Sequence, residues 1–103
     1  MDSRTYGYAR VSTKEQNEGR QVAALVEAGI TERDIFIDKA SGKNFERENY
    51  ILLRDKILRE GDLLVVSSID RLGRNYAEIQ DEWRHITQTI KADIRVLDMP
   101  LLD

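Results

Sequence analysis

The chain has 103 residues, of which 41% are hydrophobic and 34% are charged, and its formal net charge at pH 7 is −3. This length supports one domain with one modest core, and the acidic balance provides no general positive field for nucleic acid or anionic lipid. With no cysteine and one histidine, the chain lacks the ligands of a disulfide framework or of a thiolate or histidine zinc site. Its apolar runs, such as residues 63–66, are far too short to span a membrane, so we expect a cytoplasmic protein with no membrane partner.

In the first half of the chain, the residue pattern alternates between strand and helix. Residues 5–11 are rich in aromatic and branched side chains and are predicted to form a strand. Overlapping capping boxes at positions 12–16 place the start of a helix close behind it, and Gly29 is placed to end that helix. Residues 34–38 are predicted to form a second strand, followed by a polar loop over 39–49.

The second half of the chain repeats this alternation. Apolar spacing predicts a helix that Gly61 closes, and residues 63–66 are predicted to form a strand buried on both faces. A third helix carries an apolar stripe, which we interpret as core: Tyr76, Ile79, Trp83, Ile86 and Ile90. On that interpretation, Trp83→Ala should cost roughly 3 to 5 kcal/mol of stability. Residues 93–99 are predicted to form a fourth strand before Pro100.

The resulting βαβαβαβ order predicts an α/β fold with a mostly parallel sheet and helices on both faces. Ligands bind such sheets at the carboxyl ends of the strands. The polar residues expected at that edge are Arg10, Ser12, Asp38, Ser41, Asp70, Arg71, Arg74 and Asp98.

The arginines at this edge favour phosphate chemistry. Arg71 and Arg74 are three residues apart, so they share one face if residues 70–74 begin the third helix, and positions 10 and 12 point to the same side of the first strand. Guanidinium groups stay ionised and bind phosphate oxygens in pairs. A two-metal site would need more carboxylates here, so we expect a metal-independent reaction in which a side chain attacks, with Ser12 as the nearest hydroxyl.

Other interpretations of these residues stay open on the pattern alone. A serine before a helix is more often an N-cap than a nucleophile, and Ser41, Ser67 and Ser68 are rival hydroxyls. Asp70 by itself is a good N-cap for the third helix.

Two further function classes are weaker. The Gly42-Lys43 pair lacks the upstream glycine of a phosphate loop, because position 37 is Ile, which argues against a nucleotide partner. A receiver-like domain with Asp38 or Asp70 as phosphate acceptor is disfavoured by the surrounding arginines and by the missing acidic cluster for magnesium.

Three motifs in this order resemble the catalytic domain of serine site-specific recombinases, the resolvase and invertase family: YARVST at 8–13, DKASG at 38–42 and IDRLGR at 69–74. The segments at 78–83 and 96–103 are similar to resolvase-like proteins of Gram-positive mobile elements. The resemblance implies a resolvase-like α/β fold of three layers over residues 1–103, with a mostly parallel sheet of four to five strands and helices on both faces. It also implies that Ser12 attacks a DNA phosphodiester, forms a 5′-phosphoseryl bond and later rejoins the strands without metal, cofactor or ATP.

The resemblance also assigns roles to individual residues. Arg10, Arg71 and Arg74 match the family's phosphate-binding arginines, and Asp70 matches an aspartate that positions groups or assists the leaving oxygen. The candidate substrate-binding residues are Tyr8, Gln21, Asp38, Arg47 and Lys56.

Family members act on paired DNA sites, as dimers that join into a synaptic tetramer. They continue into a long dimerisation helix and a DNA-binding region, and neither follows Asp103. We therefore expect residues 1–103 to be a truncated catalytic domain that recombines no DNA by itself. The alternative is a non-catalytic module that associates with a full-length partner.

Overall fold

A computed structural model describes residues 3–12, 18–40, 47–73 and 75–97, without the side chains at positions 11, 12, 18 and 40. The strands are β1 (Thr5–Ser12), β2 (Ile35–Ala40), β3 (Leu63–Val66) and β4 (Asp93–Val96). The helices are α1 (Glu18–Glu27), α2 (Glu48–Leu52) and α3 (Tyr76–Arg84). Two π-helical turns, Leu53–Ile57 and His85–Ile90, continue α2 and α3, and two 3-10 turns cover Glu32–Asp34 and Ile69–Arg71.

The four strands of the described residues form one sheet in the order β2-β1-β3-β4, and every neighbouring pair is parallel. In this register Tyr8 of β1 lies between Phe36 of β2 and Val66 of β3. Strand β1 continues past the end of β3, and Arg10 pairs with Asp38 near the end of β2. The predicted parallel sheet is confirmed, and its carboxyl edge places Arg10 and Asp38 side by side.

Buried side chains cover both faces of the sheet because neighbouring strand residues point in opposite directions. On one face Tyr8, Leu64 and Val66 pack with residues of the second and third helical segments. On the other face Ala9 and Val65 pack with residues of α1 and the loop after it. The predicted three layers, and the burial of β3 on both sides, are therefore confirmed.

The end of α1 just before Gly29 follows the sequence prediction, but the helical segment predicted to close at Gly61 ends at Ile57, with Leu58 as its C-cap, and Gly61 lies in the turn before β3. Gly29 has φ of 102° and Gly61 has φ of 91°, a region in which residues with a Cβ are strained. The buried carboxylate of Asp62 follows directly. It accepts hydrogen bonds from the backbone N–H of Arg4 at 2.9 Å and of Arg59 at 2.9 Å, and so ties the start of β1 to the turn before β3.

The third helix begins later than predicted. Residues 69–71 form a 3-10 turn, and α3 starts at Tyr76 with Asn75 as its N-cap, whose Oδ1 accepts from the N–H of Glu78 at 2.9 Å. Between them lies Gly73, where an added Cβ would stand 2.7 Å from the Cβ of Glu78. The chain therefore packs tightly against the first turn of α3 before entering it, and the prediction of Asp70 as the N-cap of this helix was wrong.

The apolar stripe of α3 is only partly core. Ile86 is fully buried, but Trp83 is 38% exposed and Tyr76 is 74% exposed. The reason is that the π-helical turn His85–Ile90, rather than α3 itself, lies against β4. The interpretation of the whole stripe as core was wrong.

No helix within the described residues has the length and the apolar character needed to cross a bilayer.

Alanine substitutions along this stripe should separate core from surface. Ile86→Ala should lower the free energy of unfolding by about 2 to 5 kcal/mol, because it opens a cavity in a fully buried site. Tyr76→Ala should stay within about 0.5 kcal/mol of the unsubstituted protein, with Trp83→Ala between the two. Urea denaturation measures all three, and equal losses at Tyr76 and Ile86 would restore the core interpretation.

Removal of the Asp62 carboxylate should destabilise the fold. Asp62→Ala leaves two backbone N–H groups without their charged acceptor, so we expect a loss of about 1.5 to 3 kcal/mol in urea denaturation. Asp93→Ala is the matched control, because Asp93 is an exposed aspartate near the same edge of the sheet. A change below about 0.5 kcal/mol for Asp62→Ala would contradict the structural role of this carboxylate.

Candidate active site

The carboxyl edge of the sheet brings Arg10 together with the 3-10 turn that follows β3. The Nη2 of Arg10 donates a hydrogen bond to the backbone oxygen of Asp70 at 3.1 Å. Strand β1 delivers the arginine and the Ile69–Arg71 turn delivers its acceptor, so the contact depends on the β1–β3 register. Among the residues that the sequence placed at this edge, Arg10 thus contacts the main chain of Asp70.

The side chain of Gln21 on α1 fixes the backbone of Arg10. Its Nε2 donates to the oxygen of Arg10 at 3.1 Å, and its Oε1 accepts from the N–H of Arg10 at 3.3 Å. The same Oε1 accepts from the hydroxyl of Ser67 at 3.4 Å. Gln21 is buried, with 7% of its surface exposed. Its two hydrogen bonds to Arg10 therefore hold the main chain of β1 at that residue, beyond the end of β3, in place.

Like charges gather around Arg10. Burial lowers the pKa of Arg10 below its ordinary value, and the positive charges of Arg71 and Arg47 lower it further, while Tyr8 and Asp70 oppose the decrease. Guanidinium groups near enough to repel one another are stabilised when an anion lies between them. A negative charge placed among these guanidinium groups would therefore favour the charged form of Arg10.

The Ile69–Arg71 turn also carries Asp70 and Arg71. The side chain of Asp70 is 64% exposed, and its Oδ1 accepts from the hydroxyl of Ser68 at 2.5 Å. The Nε of Arg71 lies 3.9 Å from that oxygen, and no described residue lies within hydrogen-bond distance of this buried Nε. Arg71 thus lies near Asp70, and its Nε is a buried donor with no hydrogen-bond partner among the described residues.

Asp38 has a structural role at this edge. Its Oδ2 accepts from the hydroxyl of Tyr8 at 2.8 Å and from the N–H of Tyr50 at 2.9 Å, and its Oδ1 accepts from the N–H of Asn49 at 2.9 Å. The carboxylate therefore caps α2, whose N-cap residue Arg47 provides no side-chain cap. With both oxygens engaged and 5% of its surface exposed, Asp38 is a poor phosphate acceptor.

Tyr8 remains a neutral phenol in this arrangement. Burial raises the pKa of Tyr8 far above its ordinary value, and the hydrogen bond and negative charge of Asp38 raise it further. The hydroxyl of Tyr8 is therefore a permanent donor to Asp38 over the physiological pH range. Tyr8 supports the site through Asp38.

Arg47 joins the start of α2 to the segment after the 3-10 turn. Its Nη1 donates to the backbone oxygen of Leu72, and its guanidinium carbon stands 4.4 Å from the centroid of the Tyr50 ring. Arg10 and Arg47 are thus bound to main-chain oxygens of one short segment, Asp70 and Leu72.

Several residues that the sequence predicted for the site are not linked to Arg10, Arg47 and the Ile69–Arg71 turn by any described contact. Lys56 is exposed in the π-helical turn after α2, and no hydrogen bond or ion pair among the described residues links it to the other candidates. The backbone of Ser12 ends β1 opposite Ala40, but its side chain lies outside the description. Arg74, Asp98 and the loop positions 41–46, with Ser41, Gly42 and Lys43, also lie outside the described residues.

Within the described segments, no group of three or more histidine, aspartate or glutamate side chains is arranged to hold a metal ion.

Sequence reasoning missed two contributors to the site. Tyr50 is one of them, because nothing in the local pattern shows that its backbone N–H would meet a carboxylate 12 residues earlier. Asn75 carried a readable signal, since Asn75 and Glu78 have the spacing of a capping box.

Comparison with known proteins matches residues 5–101 to the family described as resolvase, N-terminal domain. The transposon Tn3 resolvase of Escherichia coli is 49% identical over 76 residues, which cover 74% of this chain and 40% of that protein. The R46 site-specific recombinase of Escherichia coli is 47% identical over 76 residues, with the same two shares of 74% and 40%. A DNA-invertase of Escherichia phage P1 is 51% identical over 69 residues, covering 67% of this chain and 36% of that protein.

The chain thus spans about 40% of the length of these relatives. The resemblance inferred from the three motifs is confirmed, and so is the α/β resolvase-like fold. On the match over residues 5–101, this chain belongs to the resolvase N-terminal domain family.

Proposed function

We propose that this chain is the catalytic domain of a serine site-specific recombinase, with DNA as substrate and Ser12 as nucleophile. The observation that carries the proposal is the group formed by Arg10, Arg47 and Arg71 around one turn at the carboxyl edge of the sheet. Membership of the resolvase family and relatives named resolvase, recombinase and invertase support the same conclusion.

The proposed reaction is a transesterification. The hydroxyl oxygen of Ser12 bonds to a DNA phosphorus while the bond from that phosphorus to the 3′ oxygen breaks. Ser12 gives up its proton, and the leaving 3′ oxygen gains one, so a 5′-phosphoseryl ester and a free 3′-hydroxyl result. A 3′-hydroxyl of the partner site then reverses the step. Because the ester retains the bond energy, rejoining needs no ATP.

The arginines supply the electrostatic part of this proposal. Arg10, Arg71 and Arg74 bind the non-bridging oxygens and stabilise the charge that develops as the serine attacks, and Arg47 adds a further contact. An incoming phosphate also opposes the burial and the positive charges of Arg71 and Arg47, which together lower the pKa of Arg10. This division of labour requires no metal ion to stabilise the transition state.

The remaining candidates act around the arginines. We assign Asp70 to positioning neighbouring groups or assisting the leaving oxygen, and its exposed carboxylate supports that role. Gln21 positions Arg10, while Tyr8 and Asp38 position the start of α2. Lys56 stays a proposed contact to DNA.

The whole protein is proposed to act on paired DNA sites. Its dimers join into a synaptic tetramer, so that four cleaved strands can exchange partners. With DNA as the substrate, the proposed site of action is the cytoplasm. No nucleotide and no membrane takes part.

The nucleophile can be tested in a chimera, in which this chain replaces the matching part of the R46 site-specific recombinase, on labelled DNA carrying that recombinase's site. We expect a covalent protein–DNA adduct that persists in a metal chelator and is absent in Ser12→Ala. A denaturing gel detects the adduct. Loss of the adduct in chelator would contradict the metal-independent reaction.

Ser68→Ala is the matched control for this experiment. Ser68 donates to Asp70 and is the best-placed rival hydroxyl among the described residues. The adduct should survive in Ser68→Ala. An adduct that survives Ser12→Ala but vanishes in Ser68→Ala would move the nucleophile to Ser68, and no adduct in the unsubstituted chimera would favour the non-catalytic module.

Arg71→Lys should slow adduct formation by at least about tenfold, because lysine keeps the charge but loses the forked donor geometry. Arg84→Lys is the control, since Arg84 is 62% exposed on α3 and pairs only loosely with Asp81 at 3.7 Å. Single-turnover rates on the same DNA measure both variants. An unchanged rate in Arg71→Lys would remove Arg71 from the catalytic group.

A further inference from the structure

A carboxylate outside the proposed catalytic group, that of Glu82 on α3, gathers two partners from the helical segment that follows Arg47. Its Oε1 accepts from the hydroxyl of Tyr50 at 2.6 Å, and its two oxygens accept from the Nη1 of Arg54 at 3.0 and 2.9 Å. The Glu82 side chain is only 15% exposed and that of Arg54 only 21%. A shielded ion pair with a third hydrogen bond holds its members in one geometry far better than an exposed pair does.

Arg54 is itself held from the other side. Its Nε and Nη2 donate to the two oxygens of Asp55 at 2.8 and 3.2 Å. The hydrogen bond to Asp55 raises the pKa of Arg54 above its ordinary value, and the contacts with Glu82 add to that increase. The guanidinium therefore remains a cation that fixes the Glu82 carboxylate beneath the Tyr50 hydroxyl.

Tyr50 is consequently held at its main chain and at the far end of its side chain. Its backbone N–H donates to Asp38 at 2.9 Å, and its hydroxyl donates to Glu82. The ring is fully buried, and its centroid lies 5.0 Å from that of Tyr8. Such a ring has no freedom to tilt without breaking one of these contacts.

The face of this ring supports Arg47. The guanidinium carbon of Arg47 stands 4.4 Å from the ring centroid, while that of Arg54 lies farther away at 5.8 Å. A cation above an aromatic face is attracted to the negative charge of the π system, and a phenol that donates to a carboxylate is richer in electrons than a free one. The place of Arg47 therefore depends on both the angle and the charge of the Tyr50 ring.

We propose that Glu82 is a positioning residue that acts through the Tyr50 ring to set where the Arg47 guanidinium stands. This inference rests on the proposed function, in which Arg47 contacts the DNA phosphate. The α3 helix, which provides none of the proposed catalytic residues, thereby controls the geometry of one of the cations.

Two substitutions change the hydrogen bond between the Tyr50 hydroxyl and the Glu82 carboxylate, each from one side. Tyr50→Phe keeps the ring and its packing but removes the hydroxyl that reaches Glu82, and Glu82→Gln keeps the size of the side chain but removes its charge. Asp81→Asn is the matched control, because it removes a carboxylate from the next position of the same helix, where the side chain is 74% exposed. Thermal melts of all three variants confirm that they fold.

The first measurement is made on the chain alone. The Nε–Hε resonance of Arg47 lies in the ring current of Tyr50, so NMR should show it displaced in Tyr50→Phe and in Glu82→Gln and unmoved in Asp81→Asn. An Arg47 resonance that stays in place in both variants would overturn the inference. This readout needs no DNA and no activity.

The second measurement is a double-mutant comparison in the R46 chimera. Glu82→Gln should slow adduct formation by about three- to tenfold, the range expected from a weakened cation–π contact. In the background of Arg47→Ala, the same substitution should cause no further loss, since its effect passes through Arg47. A loss that persists in that background would show that Glu82 acts by another route.

The two levels of the proposal fail in different ways. An Arg47→Ala variant with the unsubstituted rate would remove Arg47 from the proposed reaction, while a displaced NMR resonance would still support the positioning by Glu82. The proposed function and the positioning role of Glu82 are both supported if three results hold together. Arg47→Ala is slow, the Arg47 resonance is displaced in Tyr50→Phe and Glu82→Gln, and Glu82→Gln causes no further loss in the Arg47→Ala background. An unmoved resonance contradicts the inference whatever the rates are.

Discussion

The arrangement of the site depends on one buried carboxylate, that of Asp38. It receives a phenol from β1 and two main-chain N–H groups from α2, so a single side chain of β2 joins two strands and a helix. A buried charge is tolerated only when its hydrogen bonds are complete, and here both oxygens are engaged. Because α2 begins at this carboxylate, the direction in which Arg47 leaves the backbone depends on it as well.

The second constraint is repulsion among cations. Burial and the positive charges of Arg71 and Arg47 disfavour the charged form of Arg10, and two neighbouring side chains hold the arginines in place: Gln21 binds the backbone of Arg10, and the Tyr50 ring lies against Arg47. A site that stores like charges in a fixed geometry is pre-organised for an anion, because binding then requires little rearrangement. The net negative charge of the chain does not oppose this, since the potential that matters is local.

Much of the fold could be predicted from the sequence, because local residue patterns indicate where strands and helices lie and which of their faces are buried. The apolar run at residues 63–66, the glycine at 29 and the strand–helix alternation all led to the observed sheet. The interpretation of the whole α3 stripe as core was wrong because periodicity shows which residues share a face, but not whether another element covers that face. Tyr76 and Trp83 are exposed.

The candidate site was predictable only in part, for a similar reason. Motifs named Arg10, Asp70 and Arg71, but the contacts that orient them join residues far apart in the chain. The carboxylate that caps α2 is that of Asp38 on strand β2, and Glu82 lies 32 residues from its partner Tyr50. Such long-range hydrogen bonds leave no local spacing to read.

The hydrogen bonds to the Ile69–Arg71 turn and the residue after it show which substitutions preserve the contacts of Arg10 and Arg47. The acceptors that hold Arg10 and Arg47 are the main-chain oxygens of Asp70 and Leu72, which every amino acid possesses. Substitutions at those two positions therefore leave the anchors in place, whereas the tight passage of Gly73 against α3 determines where the oxygens point. These two anchors therefore depend on the path of the main chain at that glycine, and not on which side chains Asp70 and Leu72 carry.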